Sequence, residues 1–149
     1  MPDTLTPDTL SPGQMLRHWF QTVWNEGNPE LIDAWVAPDA PVQGMDGGNE
    51  PIRGPAAFRA AYDGLRAAFT DIHFEVQDVM ETADQAIGRW VLTATHAGEF
   101  KGARATGNRV SITGMTIIRV TDGKLTAGWN EWDRLTLALA TGAVLPRPE

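Results

Sequence analysis

Two carboxylates, Glu131 and Asp133, end the stretch of residues 124–133. Strand side chains alternate between faces. Counted from the turn, Leu125, Ala127, Trp129, Glu131 and Asp133 then share one face. That face begins apolar and finishes in acids, as expected where a strand leaves a packed core and enters a cavity. A carboxylate in such a place is costly unless paired or protonated, so burial raises its proton affinity. A carboxyl tuned in this way takes and returns a proton near neutral pH, which is general acid/base chemistry. Two acids about 7 Å apart along a strand would push one of the pair further up. Two other roles stay open. Asp133 would also serve as a cap, accepting amides near Leu135 and Thr136. Glu131 would also pair with Arg89 or Arg119 on neighbouring strands.

His96 is the second candidate, because it alternates in phase with Trp90, Leu92 and Ala94. An inward imidazole with an ordinary pKa of about 6.5 can hold a carbonyl oxygen or pair with a carboxylate. A hydrogen-bonded core histidine fits the same pattern. His18 and His73 read as surface or structural. Around these groups the chain supplies aromatic and apolar residues for a pocket lining: Phe20, Trp35, Phe58, Tyr62, Trp90, Met115 and Trp129. Such a lining suits a flat, apolar or polycyclic ligand, and plain core packing fits most of these residues as well.

The elements that must position these groups follow from periodicity. Ser11-Pro12 starts a helix, and Met15, Leu16, Trp19, Phe20 and Val23 recur on one face until Gly27. Leu31, Ile32, Trp35 and Val36 make a short second helix. Residues 40–45 read as a short strand. Gly54-Pro55 opens a third helix carrying Phe58, Ala61, Tyr62, Leu65 and Phe69. After Thr70 the period becomes two. Strands are expected through Ile72, Phe74 and Val76, over residues 86–96 and 110–120, and up to Asp133. Asp122-Gly123 signals a two-residue hairpin. Helices first and hairpin-linked strands later mean an α+β fold, with helices on one face of an antiparallel sheet. Strong curvature would make that sheet a cone with a pocket at its open end. Residues 1–11 read as a loose leader, 12–142 as one domain and 143–149 as a tail.

Composition removes other classes. The formal net charge of −7 argues against nucleic acid or an anionic membrane as partner. With no cysteine, thiol chemistry and thiolate metal sites are excluded. No histidine pair has metal spacing. The glycines from Gly44 to Gly48 lack the context of a phosphate loop, and Ser111 has no triad partners. No apolar run reaches the roughly 20 residues of a membrane span. A cytoplasmic protein is the default expectation.

Three stretches carry a family resemblance: Thr95-His96-Ala97-Gly98-Glu99-Phe100, Thr106-Gly107-Asn108-Arg109-Val110, and Asp122-Gly123-Lys124-Leu125 continuing through Trp129 to Asp133. In order and spacing they resemble the SnoaL-like polyketide cyclases of the NTF2-like α+β cone superfamily, over about residues 12–142. Ala105 stands where the family commonly has proline, and Leu125 where it has isoleucine. The resemblance implies three N-terminal helices in the concave face of a strongly curved, mainly antiparallel sheet. It implies a cyclase without cofactor or metal, closing a ring in a polyketide ester or related apolar carbonyl compound by an intramolecular aldol step. Asp133 matches the aspartate that serves such cyclases as acid/base, and His96 would assist. Two other readings are an epoxide hydrolase resembling the limonene-epoxide type, which needs an Asp-Arg-Asp set, and a non-catalytic binding or dimerisation module. The apolar outer face of strand 110–120 predicts a homodimer through the sheet.

Overall fold

Ser11 starts the first helix as its residue type predicts. Its hydroxyl accepts the Gln14 amide at 3.2 Å, and the Gln14 side chain takes the Ser11 N–H at 2.9 Å, a reciprocal capping box. The computed structural model describes residues 10–45 and 50–143. Of the expected leader and tail, residues 1–9 and 144–149 lie outside the described residues. Helix α1 (Pro12–Trp19) runs directly into a π-helical segment (Phe20–Asn25), followed by α2 (Glu30–Trp35), β1 (Pro41–Gln43), β2 (Ile52–Arg53) and α3 (Gly54–Ala68). Four long strands come next: β3 (Phe69–Glu81), β4 (Gln85–His96), β5 (Arg109–Thr121) and β6 (Lys124–Trp132). Helix α4 (Arg134–Thr141) closes the described chain. Carbonyls at the end of the π segment lack helical partners. Helix α3 supplies them: the Tyr62 hydroxyl donates to Val23 O and Arg66 to Trp24 O, both at 2.9 Å.

The fold is α+β, with one six-stranded sheet in the order β2-β1-β6-β5-β4-β3. The long strands are antiparallel neighbours, while β1 joins β6 in parallel. The curved sheet wraps the helices, and the core sits between them. Met15, Val23 and Ile32 are fully buried there. Asp122 and Gly123 have φ of 50° and 74°, the left-handed pair that a tight hairpin with the sheet's twist requires.

One register detail overturns a sequence expectation. Arg119 pairs with Ala127, but the next residue, Val120, pairs with Leu125. Thr126 is therefore an extra residue on β6, a β-bulge. Side chains alternate with period two, so one inserted residue moves every later side chain to the opposite face. Ile118, on the inner face, pairs with Gly128, and Thr116 pairs with Asn130. Gly128, Asn130 and Trp132 consequently face inward, while Trp129 and Glu131 face outward. The expected continuous face from Leu125 to Asp133 does not exist.

Candidate functional site

The inner faces of the sheet and helices line a cavity of about 110 Å³ that opens to solvent. Rings from the first helical stretch meet rings of the sheet there. Phe20 lies 4.9 Å from Phe74 and 6.1 Å from Trp90, and Trp19 stands edge-on to Phe58 at 5.3 Å. Gly114 makes room for Trp90: a Cβ at Gly114 would lie 2.4 Å from the indole. Apolar residues from β1, β5 and β6, among them Val42, Ile118 and Leu125, complete the wall.

Trp90, Thr116 and Asn130 form a linked polar group in this wall. The Trp90 indole N–H donates to the Thr116 hydroxyl at 3.0 Å, and that hydroxyl donates to Asn130 Oδ1 at 2.7 Å. Asn130 Nδ2 donates to Gln43 O at 3.1 Å. Each link fixes the next. An indole can only donate, so the hydroxyl spends its own proton on Asn130. The amide orientation follows, and one Nδ2 hydrogen is left over at the wall. None of the described residues lining the cavity is titratable. Beside Asn130, the Trp132 indole N–H donates to Gly44 O at 2.6 Å, and Arg134 donates to the same oxygen at 3.1 Å while its guanidinium stacks 4.9 Å from the Trp132 ring.

The expected site residues separate. Asp133 is exposed and serves as the N-cap of α4. Its carboxylate accepts the Thr136 amide at 3.0 Å and the Thr136 hydroxyl at 2.6 Å. These two bonds, the hydroxyl first, hold its pKa below the usual aspartate value, the opposite of the expected rise. Glu131 is exposed on the outer face, so the expected acid pair does not meet in a pocket. Its proposed arginine partners are engaged elsewhere: Arg89 with Asp78, and Arg119 over the Trp129 ring at 5.5 Å. Trp129 and Met115, expected in the pocket, lie on the outer face because of the bulge and the phase of β5, and Met115 is 47% exposed. Trp35 and Tyr62 are buried but outside the lining; Tyr62 is held by its bond to Val23 O, and Trp35 packs 5.4 Å from His18. Phe20, Phe58 and Trp90 do line the cavity.

His96 faces inward and is fully buried. Its Nδ1 lies 3.0 Å from the Thr106 hydroxyl and accepts the Thr106 amide at 3.3 Å. A backbone amide only donates, so Nδ1 is bare and the neutral ring carries its proton on Nε2. With its backbone bonded to Asn108 O and Gly107 N, His96 fastens the loop 97–108 to the sheet. Phe69 and Ala94 line the cavity beside it, and His96 does not.

Sequence reasoning missed Asn130 and Trp132 because it carried alternation straight through Thr126, and Thr116 because it put Met115, which has the opposite phase on β5, in the pocket. Gly128 was the available signal, since an interior strand glycine often accompanies a bulge. Among the described residues, no three His, Asp or Glu side chains stand together to hold a metal, and no helix is long and apolar enough to cross a membrane.

A curved sheet closed over helices around an apolar cavity defines an α+β cone of the NTF2-like type. The model of the SnoaL-like polyketide cyclase family matches residues 14–140, and the chain belongs to that family. It is 34% identical over 103 residues to aklanonic acid methyl ester cyclase DnrD of Streptomyces peucetius, covering 68% of this chain and 70% of that protein. It is 29% identical over 142 residues to DauD of Streptomyces sp. strain C5, a cyclase of the same name, covering 94% and 88%. Among solved structures, IdmH from Streptomyces antibioticus superposes with a TM-score of 0.77 at 27% identity, over 90% of this chain and 100% of that one.

Proposed function

We propose that this chain takes a flat, apolar carbonyl compound of the polyketide ester class into the cone and favours its intramolecular aldol ring closure. One observation carries this reading: an aromatic and aliphatic cavity whose wall, among the described residues, offers a single side-chain amide, Asn130, and no titratable group. In that reading the remaining Nδ2 hydrogen of Asn130 donates to the acceptor carbonyl. The carbon alpha to one carbonyl loses its proton to solvent at the cone mouth and bonds to the second carbonyl carbon. The alkoxide formed there is stabilised by Asn130 and then takes a proton from solvent. Catalysis comes from holding the substrate folded, which contributes up to about 7–11 kcal/mol in well-oriented systems. One donor aimed at the developing oxyanion adds about 3 kcal/mol.

Asp133 has no part in this mechanism, because its exposed carboxylate is spent on Thr136. The epoxide-hydrolase reading finds no support, since neither aspartate nor arginine occurs among the described lining residues. The test is turnover of aklanonic acid methyl ester, the compound for which the curated relatives are named. Asn130→Leu should lower kcat by about 100-fold or more, and Asp133→Asn should leave it within about twofold. Loss of turnover in Asp133→Asn with Asn130→Leu unaffected would overturn the proposal. Binding without turnover in the unsubstituted protein would reduce the function to ligand binding.

A further inference from the structure

Gly88 on β4, Gly114 on β5 and Gly128 on β6 all face inward from the long strands. At the first two, the protein itself fills the space that the missing side chain leaves. A Cβ at Gly88 would lie 2.6 Å from the Leu16 side chain, and one at Gly114 would lie 2.4 Å from the Trp90 indole. Gly128 differs. The nearest atoms to a Cβ there would be Val42 Cγ1 at 3.6 Å, Ile117 O at 3.8 Å and Val42 Cγ2 at 3.8 Å, all ordinary van der Waals contacts. Its φ also lies outside the left-handed region. Neither backbone geometry nor crowding therefore requires a glycine at 128.

A glycine inside a strand weakens it relative to alanine, and what Gly128 lines is the cavity. It stands two residues before Asn130 on the same face, about 7 Å along the strand. It pairs with Ile118 on β5 and with Val42 on β1, whose side chains also line the cavity. The bare backbone between them leaves a slot in the wall near the amide. At about 110 Å³, the cavity is of the same order as the roughly 150 Å³ apolar cavity that takes a benzene ring. Room for the buried part of a ligand is thus about that of a single ring, and one added methyl group on the wall takes a sizeable share of it.

We infer that Gly128 is a specificity-determining residue: by carrying no side chain it admits a flat group the size of a single ring near Asn130. The rest of a longer ligand stays towards the opening. This rests on the reading of the cone as a carbonyl-ligand pocket and adds to it the size of the part that enters. The ring that the proposed aldol step closes is a group of that size. Gly88 and Gly114 have no such role, because Leu16 and Trp90 occupy the space they leave.

The test uses two probes in ligand-detected NMR titrations: acetophenone, a ring bearing a ketone, and ethylbenzene, a ring of similar shape without the carbonyl. Gly128→Ala places its methyl group at ordinary contact distances, so its melting temperature should hold or rise. It should weaken both probes by about tenfold, because both lose the same space. Val42→Ala, added to Gly128→Ala, returns space at the neighbouring wall and should restore both affinities to within about threefold of the unsubstituted protein. Unchanged affinities in Gly128→Ala overturn the inference. A loss confined to acetophenone also overturns it, since the effect would then act through the Asn130 amide, and so does a loss that Val42→Ala does not relieve. Failure of the unsubstituted protein to bind either probe instead overturns the pocket reading, and this inference with it.

Discussion

Asp133 and Asn130 stand three positions apart on one segment and illustrate how environment assigns chemistry. Asp133 has the residue type for acid/base work, yet two bonds from Thr136 favour its charged form and lower its pKa. The sign of the linkage follows. A depressed folded pKa contributes stability that is present above the unfolded carboxyl value and is lost as pH falls through the folded value. Asp133→Ala should therefore lower the melting temperature at neutral pH, with the difference shrinking as the medium is acidified below about pH 4. Asp133→Asn should keep most of the cap, since asparagine caps helices as well as aspartate. A melting series over pH checks both, and an Asp133→Ala deficit that persists unchanged in acid would refute the account. Tyr62 offers a second residue-level check, being the only tyrosine in the chain. Burial pushes its hydroxyl above the ordinary tyrosine value of about 10, against the lowering influence of Arg66 and Arg59. Tyrosinate absorbance should thus rise at a higher pH in the folded protein than in denaturant. The stability tied to this group is present below pH 10 and lost above it, because the unfolded chain releases that proton first.

At the scale of the element, the bulge in β6 decides what the cone contains. With Thr126 inserted, Asn130 and Trp132 enter the cavity and Glu131 stays in solvent. Deleting Thr126 would restore simple alternation and drive Glu131 into the apolar cavity, where an unpaired charge costs several kcal/mol. That is a large share of the 5–15 kcal/mol that holds a domain folded. The deletion variant should lose its cooperative thermal transition in circular dichroism, and a stable, sharply melting variant would contradict the register argument. The π segment has a comparable effect on the helical side. Its terminal carbonyls are bound by Tyr62 and Arg66, and Asn25 clamps Phe74 through bonds to its N–H at 2.7 Å and its carbonyl at 2.9 Å. These bonds seat the Phe20, Trp24 and Phe74 rings that line the cavity.

For the whole molecule, the outer face of the sheet carries Met115 at 47% and Ile117 at 36% exposure, with Trp129 beside Ile117 in register. Such a patch on the outside of a sheet calls for a cover, and we propose a second copy of the chain. Light scattering should give twice the chain mass of 16.2 kDa, and Met115→Glu together with Ile117→Lys should halve it while leaving the fold intact. A monomer at all concentrations of the unsubstituted chain would end this proposal.

Much of the fold was legible because it rests on local signals. Ser11-Pro12, Gly54-Pro55 and Asp122-Gly123 mark starts and turns through backbone chemistry that each residue carries by itself. The change of period after Thr70 separates helices from strands, and the motifs from Thr95 to Asp133 point to the family that residues 14–140 match. The sequence also selected Phe20, Phe58 and Trp90 for the cavity, as their periodicity alone places them inward. It did not reveal that Glu131 and Asp133 both stay outside that cavity. A single extra residue at Thr126 reverses the strand's faces, and the pairing of β5 with β6 that accommodates it is a tertiary fact. Asp133 shows the same division: its type allows either a cap or a catalyst, and only the placement of Thr136 on α4 decided for the cap.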